Sequence, residues 1–144
     1  MFLYIAVVLM FACNNKETRT TDEFPKDYIG KWEVTKKVYS NGIEDSYKEN
    51  NDVYFLNEGG KLRREYRDHR DETRDQEGEW KIISKTENEK EQLYLIKRTP
   101  MFNGTFEEQF KVLSKTDTEM VLEENDWGIE AFEARDKFHF SKRP

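Results

Sequence analysis

Few side chains in this sequence stand where chemistry could be done. The single cysteine, Cys13, ends an apolar run and is the one thiol open to covalent modification. The two histidines are His69, inside Asp68-His69-Arg70-Asp71, and His139, between Phe138 and Phe140. His69 has acidic neighbours of the kind that bind metal, but the interleaved arginines repel a cation, so a solvated loop histidine is expected. His139 alternates away from two aromatic neighbours and is expected on an outer face. No serine occupies a Gly-x-Ser-x-Gly context, and no spacing selects a carboxylate pair. A catalytic site, a metal or a cofactor is therefore not expected. Alternation does single out three charges, Lys36, Arg64 and Glu108, at positions of interior parity. Burying a charge is costly unless it is paired or hydrogen-bonded. Lys36 and Arg64 could form a cationic pair that receives a ligand carboxylate or phosphate. Equally, the three could neutralise one another or sit at a wet mouth.

Composition sets the frame for these residues. A chain of 144 residues suffices for one domain and is too short for two ordinary ones. A charged fraction of 38% alone would suggest disorder, but 14% aromatic residues, ten Phe, seven Tyr and three Trp, supply large core-forming surfaces. A folded domain with a heavily charged exterior satisfies both. The net charge of −6 comes from 24 basic and 30 acidic residues intermixed, which favours solubility and argues against a nucleic-acid partner. One cysteine permits no internal disulfide.

Residues Phe2 to Ala12 form eleven uninterrupted apolar positions, too few for the roughly 20 that span a bilayer and right for the core of a signal peptide. Beyond Cys13 the composition flips to the polar stretch NNKETRTTDEFPKD. Ala12 directly before Cys13 resembles the lipobox of bacterial lipoproteins, in which the chain is cut before an acylated cysteine. The resemblance departs at Met10, where Leu is usual, and at the bulky Phe11; no Lys or Arg precedes the apolar run, as if the start codon lay upstream. It implies a signal peptide over residues 1–12, and a lipidated Cys13 with a polar tether over 13–27. The protein is then expected to be exported to the bacterial cell envelope, with the membrane as its partner through lipid. Each buried methylene of an acyl chain contributes about 0.8 kcal/mol. Fourteen flexible residues reach roughly 20 Å.

From Tyr28 onward the dominant signal has period two. Trp32, Val34 and Val38 alternate with Lys31, Glu33, Thr35 and Lys37, and the pattern returns at Phe106–Val112, Met120–Leu122 and Phe138–Phe140. Such alternation predicts half-buried antiparallel strands. Turn signals fall at Asn41-Gly42, Asn57 to Gly60, Asp68 to Glu77, Lys85 to Lys90, Pro100 to Gly104, Ser114 to Asp117 and Asp126 to Gly128. Seven breaks delimit eight strands, which predicts an all-β, eight-stranded antiparallel up-and-down barrel over residues 28–144.

Gly30-Lys31-Trp32 at the head of the first strand resembles the Gly-x-Trp signature of lipocalins. The order of pieces is similar to lipocalin-like domains on bacterial lipoproteins: Gly-x-Trp, a hairpin YFLNEGGKL at Tyr54 to Leu62, a second Gly-x-Trp at Gly78-Glu79-Trp80, and a last strand ending in Lys142-Arg143. The resemblance implies a closed end where Gly30 and Trp32 meet a basic side chain, Arg143 or its neighbour Lys142, in a cation–π contact of about 0.5–2 kcal/mol. With strands running up and down, both termini share that closed end, and the mouth points away from the membrane.

An eight-stranded barrel holds either packed side chains or one small ligand. The interior parity falls on Trp32, Val34, Lys36, Leu62, Arg64, Tyr66, Trp80, Ile82, Phe106, Glu108, Phe110, Met120, Leu122, Phe132 and Phe138. A cavity is expected to be lined by Val34, Lys36, Arg64, Tyr66, Trp80, Phe106, Glu108, Phe110 and Phe138, with Met101, Phe102 and Trp127 at its mouth. Two non-enzymatic functions follow. The first is a membrane-tethered barrel binding a small hydrophobic or amphipathic molecule. The second is an envelope interaction protein whose filled barrel binds a protein partner, not identifiable from sequence, through loops or outer face.

Overall fold

The computed structural model describes residues 21–84, 91–99, 104–124 and 135–144. The segment 1–12 expected to be a signal peptide, Cys13, the residues Met101, Phe102 and Trp127 expected at the mouth, and Phe132 lie outside the described residues. Those described form ten strands, β1 (Thr21–Glu23), β2 (Gly30–Val38), β3 (Glu44–Ser46), β4 (Asp52–Leu56), β5 (Lys61–Arg67), β6 (Thr73–Ser84), β7 (Gln92–Thr99), β8 (Gly104–Lys115), β9 (Glu119–Glu124) and β10 (Lys137–Arg143). Eight of them pair antiparallel with their chain neighbours, and β10 returns to β2. The sheet is a closed eight-stranded up-and-down barrel, as the alternation predicts, and closure leaves no long edge unpaired.

Two short strands decorate it. β3 pairs with the end of β2 that β4 does not reach, so the connection that follows the Asn41-Gly42 turn is folded back on the sheet. β1 pairs with Ile82–Ser84 of β6. The tether expected over residues 13–27 therefore ends sooner, because from Thr21 the chain is docked on the barrel. Phe24 is the reason: its ring meets Trp80 edge-on at 5.6 Å, over Gly60, whose missing side chain leaves the ring room. The charged tip is also shorter than Asp68 to Glu77. The Asp68 carboxylate accepts hydrogen bonds from the backbone N–H groups of Arg70 and Glu72 and from Arg74. With Asp71 in the left-handed region, the turn closes by Glu72 and Thr73 already begins β6.

The core runs from the closed end upward. Trp32, Trp80, Leu56, Ile82, Leu93, Leu95, Met120, Leu122 and Val34 are all buried. Complete burial contributes about 1.5–3 kcal/mol for each large aliphatic or aromatic side chain. Two irregularities shift the interior row. On β2, Val34 faces Phe140 and Lys36 faces His139, so Thr35 is an extra residue. On β8, Val112 faces Leu122 and Ser114 faces Val121, so Leu113 is extra. A single inserted residue exchanges the faces of everything after it.

Gly78 lies in the interior row, where β6 and β7 press together. A Cβ there would stand 1.9 Å from the Ile96 carbonyl oxygen, which is backbone and cannot swing aside. Gly78→Ala is expected to destabilise the barrel by at least the 1–3 kcal/mol typical of overpacking. Urea unfolding checks this, and an unchanged midpoint would mean that the strands separate freely here.

Candidate functional site

The closed end is built around Trp32. Its indole N–H donates to the Tyr28 carbonyl at 2.7 Å, and the Lys142 ammonium lies over its ring at 5.2 Å. Of the two basic partners expected, Arg143 and Lys142, it is Lys142 that meets the ring, for a reason of parity. Lys142 is the register partner of Trp32 and shares its face, whereas Arg143 points outward and bonds Glu33. Glu33 is only 2% exposed because the chain at Asn50 folds over it and donates a backbone N–H. Gly30 makes the Lys142 contact possible: a Cβ on it would fall 2.5 Å from Lys142 Cε. Lys115, turned inward after the Leu113 bulge, lies 4.7 Å from the Tyr28 ring centroid and pairs with Asp27. This end is sealed by stacked rings and cations.

Toward the open end the interior row changes character. Asp52, Tyr54 and Leu56 alternate inward on β4, facing Tyr66, Arg64 and Leu62 of β5. Arg64 grips Asp52 with two parallel bonds, Nε to Oδ1 at 2.7 Å and Nη2 to Oδ2 at 2.8 Å. Its guanidinium lies 5.1 Å from the Tyr54 ring centroid and 4.7 Å from that of Tyr66. From β7, Lys97 reaches in at 1% exposure, donates to the Tyr54 hydroxyl at 3.3 Å and pairs with Glu108 of β8. Four charges in two pairs surround one buried tyrosine.

Electrostatics follow from that crowding. Burial, then the nearby Arg64 cation, pull the Lys97 ammonium below the usual lysine range, and Glu108 works against both. Burial opposes the charge on Arg64 as well, but the Asp52 carboxylate outweighs it and holds the guanidinium ionised. Burial first, and the Asp52 carboxylate second, raise the Tyr54 phenol well above its ordinary range, so it stays protonated.

The sequence-derived cavity residues separate into groups. Val34, Trp80 and Phe110 belong to the buried core, and Phe138 packs against it, edge-on to Phe110 at 5.8 Å. Arg64, Tyr66 and Glu108 gather in the polar cluster. Lys36 does not join them: the Thr35 bulge turns it outward beside His139, where it pairs with Glu44. Lys37 takes the interior parity instead, over the Phe138 ring at 5.0 Å and paired with Asp136 at 2.8 Å. Phe106 has Lys97 as register partner but lies near the start of β8, and is 55% exposed at the rim. Lys97 and Asp52 escape a reading by alternation because each adjoins a short run that is apolar on both faces, Leu93 to Ile96 on β7 and Val53 to Leu56 on β4. The parity of Leu93, Leu95 and Lys97 was the available signal. Among the described residues no group of three or more His, Cys, Asp or Glu is placed to hold a metal ion.

No protein-family model and no curated protein sequence matches the chain. Solved structures do. A lipocalin-like protein from Bacteroides uniformis superposes with a TM-score of 0.54 at 17% identity, over 81% of this chain and 99% of its own. An uncharacterized protein from Bacteroides eggerthii gives 0.51 at 16% identity, over the same shares of 81% and 99%. Identity this low speaks to architecture alone. The barrel is lipocalin-like.

Glu108→Leu strands the Lys97 ammonium, and the expected loss is about 3–5 kcal/mol, the range for breaking a buried pair. The double variant K97M/E108L is expected to recover most of it in urea unfolding. Costs that simply add would mean that the two side chains are not coupled.

Proposed function

We propose that this chain is a membrane-tethered lipoprotein whose lipocalin-like barrel binds a small hydrophobic or amphipathic molecule at its open end. The observation that carries the binding reading is the division of the interior. Near the closed end it is packed with apolar side chains; toward the open end it holds two ion pairs and a tyrosine. Well-packed apolar residues in place of a buried ion pair are often neutral or stabilising. Ion pairs retained inside a barrel, next to its mouth, fit a polar group arriving from outside better than they fit a core. Pockets of this kind commonly combine an apolar wall with a few fixed polar groups.

The tethering reading rests on the apolar segment ending at Cys13. The chain docks at Thr21 and enters the barrel at its closed end, so a lipid on Cys13 would leave the mouth facing away from the bilayer. The alternative, a filled barrel that binds a protein of the envelope, draws support from Phe106 and from Ile43, 58% exposed in the turn between β2 and β3. Exposed apolar groups at one end suit a contact surface.

Thermal unfolding with a panel of amphiphiles separates the two. A ligand at 100 times its Kd stabilises by about 2.7 kcal/mol, a Tm rise of roughly 10 °C for a domain this size. No rise with any member, together with loss of a co-purifying envelope protein in Phe106→Ser, would favour the contact-surface reading. Separately, Cys13→Ala is expected to move the protein from the membrane to the soluble fraction with an unchanged Tm. Continued membrane attachment of that variant would contradict lipid anchoring.

A further inference from the structure

The polar cluster is electrically balanced and every buried polar atom in it has a partner, yet several of its donor protons meet no acceptor among the described residues. Asp52 engages Nε and Nη2 of Arg64, which leaves Nη1 without an acceptor among the described residues. Lys97 gives two of its three protons to Glu108 and Tyr54. The Tyr54 hydroxyl accepts from Lys97, and its own proton has no acceptor among the described residues. These donors meet at one residue: Arg64 Cζ and Lys97 Nζ each lie 5.1 Å from the centroid of the Tyr54 ring, and Lys97 also reaches its hydroxyl. The two cations repel one another, and an anion accepting from both would relieve that repulsion while taking up protons that have no acceptor among the described residues.

Below the cluster the interior is already occupied. Val34, Leu95, Phe110, Leu122 and Phe140 are buried, and beneath them Trp32 seals the end. Above it the apolar surface is at the rim, on half-buried Phe138 and exposed Phe106, the latter paired in register with Lys97 itself. An amphiphile with its tail down would have to displace packed core, and would leave its charged head beyond the donors. The reverse orientation meets both needs.

Resting on the reading of the barrel as a binding site, we propose that its ligand is a carboxylate-bearing amphiphile bound head first, with the carboxylate among Arg64, Lys97 and Tyr54 and the tail running outward over Phe138 and Phe106. The carboxylate accepts from Arg64 Nη1 and the third Lys97 proton, a charge-assisted arrangement, and Tyr54 stays protonated to donate as well.

Decanoate is the probe, added to isotope-labelled protein for filtered NOE spectroscopy. The expected result is contact from the methylene beside the carboxylate to the Tyr54 ring, and from the terminal methyl to Phe106. Methyl decanoate, which lacks the charge, is expected to bind at least tenfold more weakly. Contacts from the terminal methyl to Leu122 or Met120 would overturn the orientation while leaving the barrel a binding site, and equal affinity for the ester would overturn the carboxylate assignment. Binding of other amphiphiles without decanoate overturns the carboxylate assignment alone. Binding of none overturns both readings.

Discussion

Trp32 holds the two ends of the chain to each other. Its indole N–H is satisfied by the Tyr28 carbonyl, and its ring, wholly buried, carries Lys142 from the last strand on its face. Tyr28 precedes the first barrel strand and Lys142 nearly ends the last, so one side chain fixes where β2 and β10 meet and with what register. Closure is the step that bears the largest ordering cost in a sheet whose other pairings are local, because its partners are farthest apart in sequence. An aromatic anchor at that seam, with a hydrogen bond and a cation–π contact, puts specific energy where the chain entropy opposes most. Phe24 packs on Trp80, and Lys115 lies over Tyr28 while pairing with Asp27, which is why the leading segment is drawn onto the barrel from Thr21.

Once the seam is fixed, interior and exterior are a matter of counting, and here the sequence was readable to a definable extent. Alternation located most barrel strands and placed Trp32, Val34, Trp80, Phe110, Arg64 and Glu108 inside. It failed at Lys36 because counting by twos assumes an unbroken ladder, and the extra residue at Thr35 exchanges the faces beyond it. Nothing in the local residue types of Val34-Thr35-Lys36 announces a bulge. Counting would have separated Lys142 from Arg143 had the register of β10 on β2 been known, because Lys142 directly faces Trp32. Asp52 and Lys97 were hidden differently. Each adjoins a run apolar on both faces, Val53 to Leu56 or Leu93 to Ile96, in which alternation carries little contrast. The tether boundary was obscured by composition, since a single Phe24 among polar residues does not outweigh its neighbours in any window.

The same counting explains why the polar cluster sits where it does. Rows of interior residues climb the barrel together, and Asp52, Arg64, Lys97 and Glu108, from four strands, meet around Tyr54 through the Asp52–Arg64 and Lys97–Glu108 pairs. A charge there in one strand obliges its neighbours to supply the counter-charge, because none of the four has enough water to stand alone. The arrangement is a constraint before it is a function. It does not require that, among the described residues, Arg64 Nη1 and the Tyr54 proton meet no acceptor, or that an exposed phenylalanine stand beside Lys97 in register.

Stability and recognition thus draw on opposite ends of one barrel. The sealed end gains from burying rings under cations whose stems are apolar and whose heads reach water. The open end accepts the cost of ionised groups held away from solvent, which is tolerable only because each is paired. Were the polar level placed lower, its charges would lose the partial solvent contact that Glu108 and Arg64 retain, and the penalty would rise. Were it higher, water would compete for every donor, and a ligand head would gain little by exchanging one set of hydrogen bonds for another. A depth at which Lys97 is dry while its carboxylate partner remains partly wet lies between those limits, and there a further acceptor is worth most.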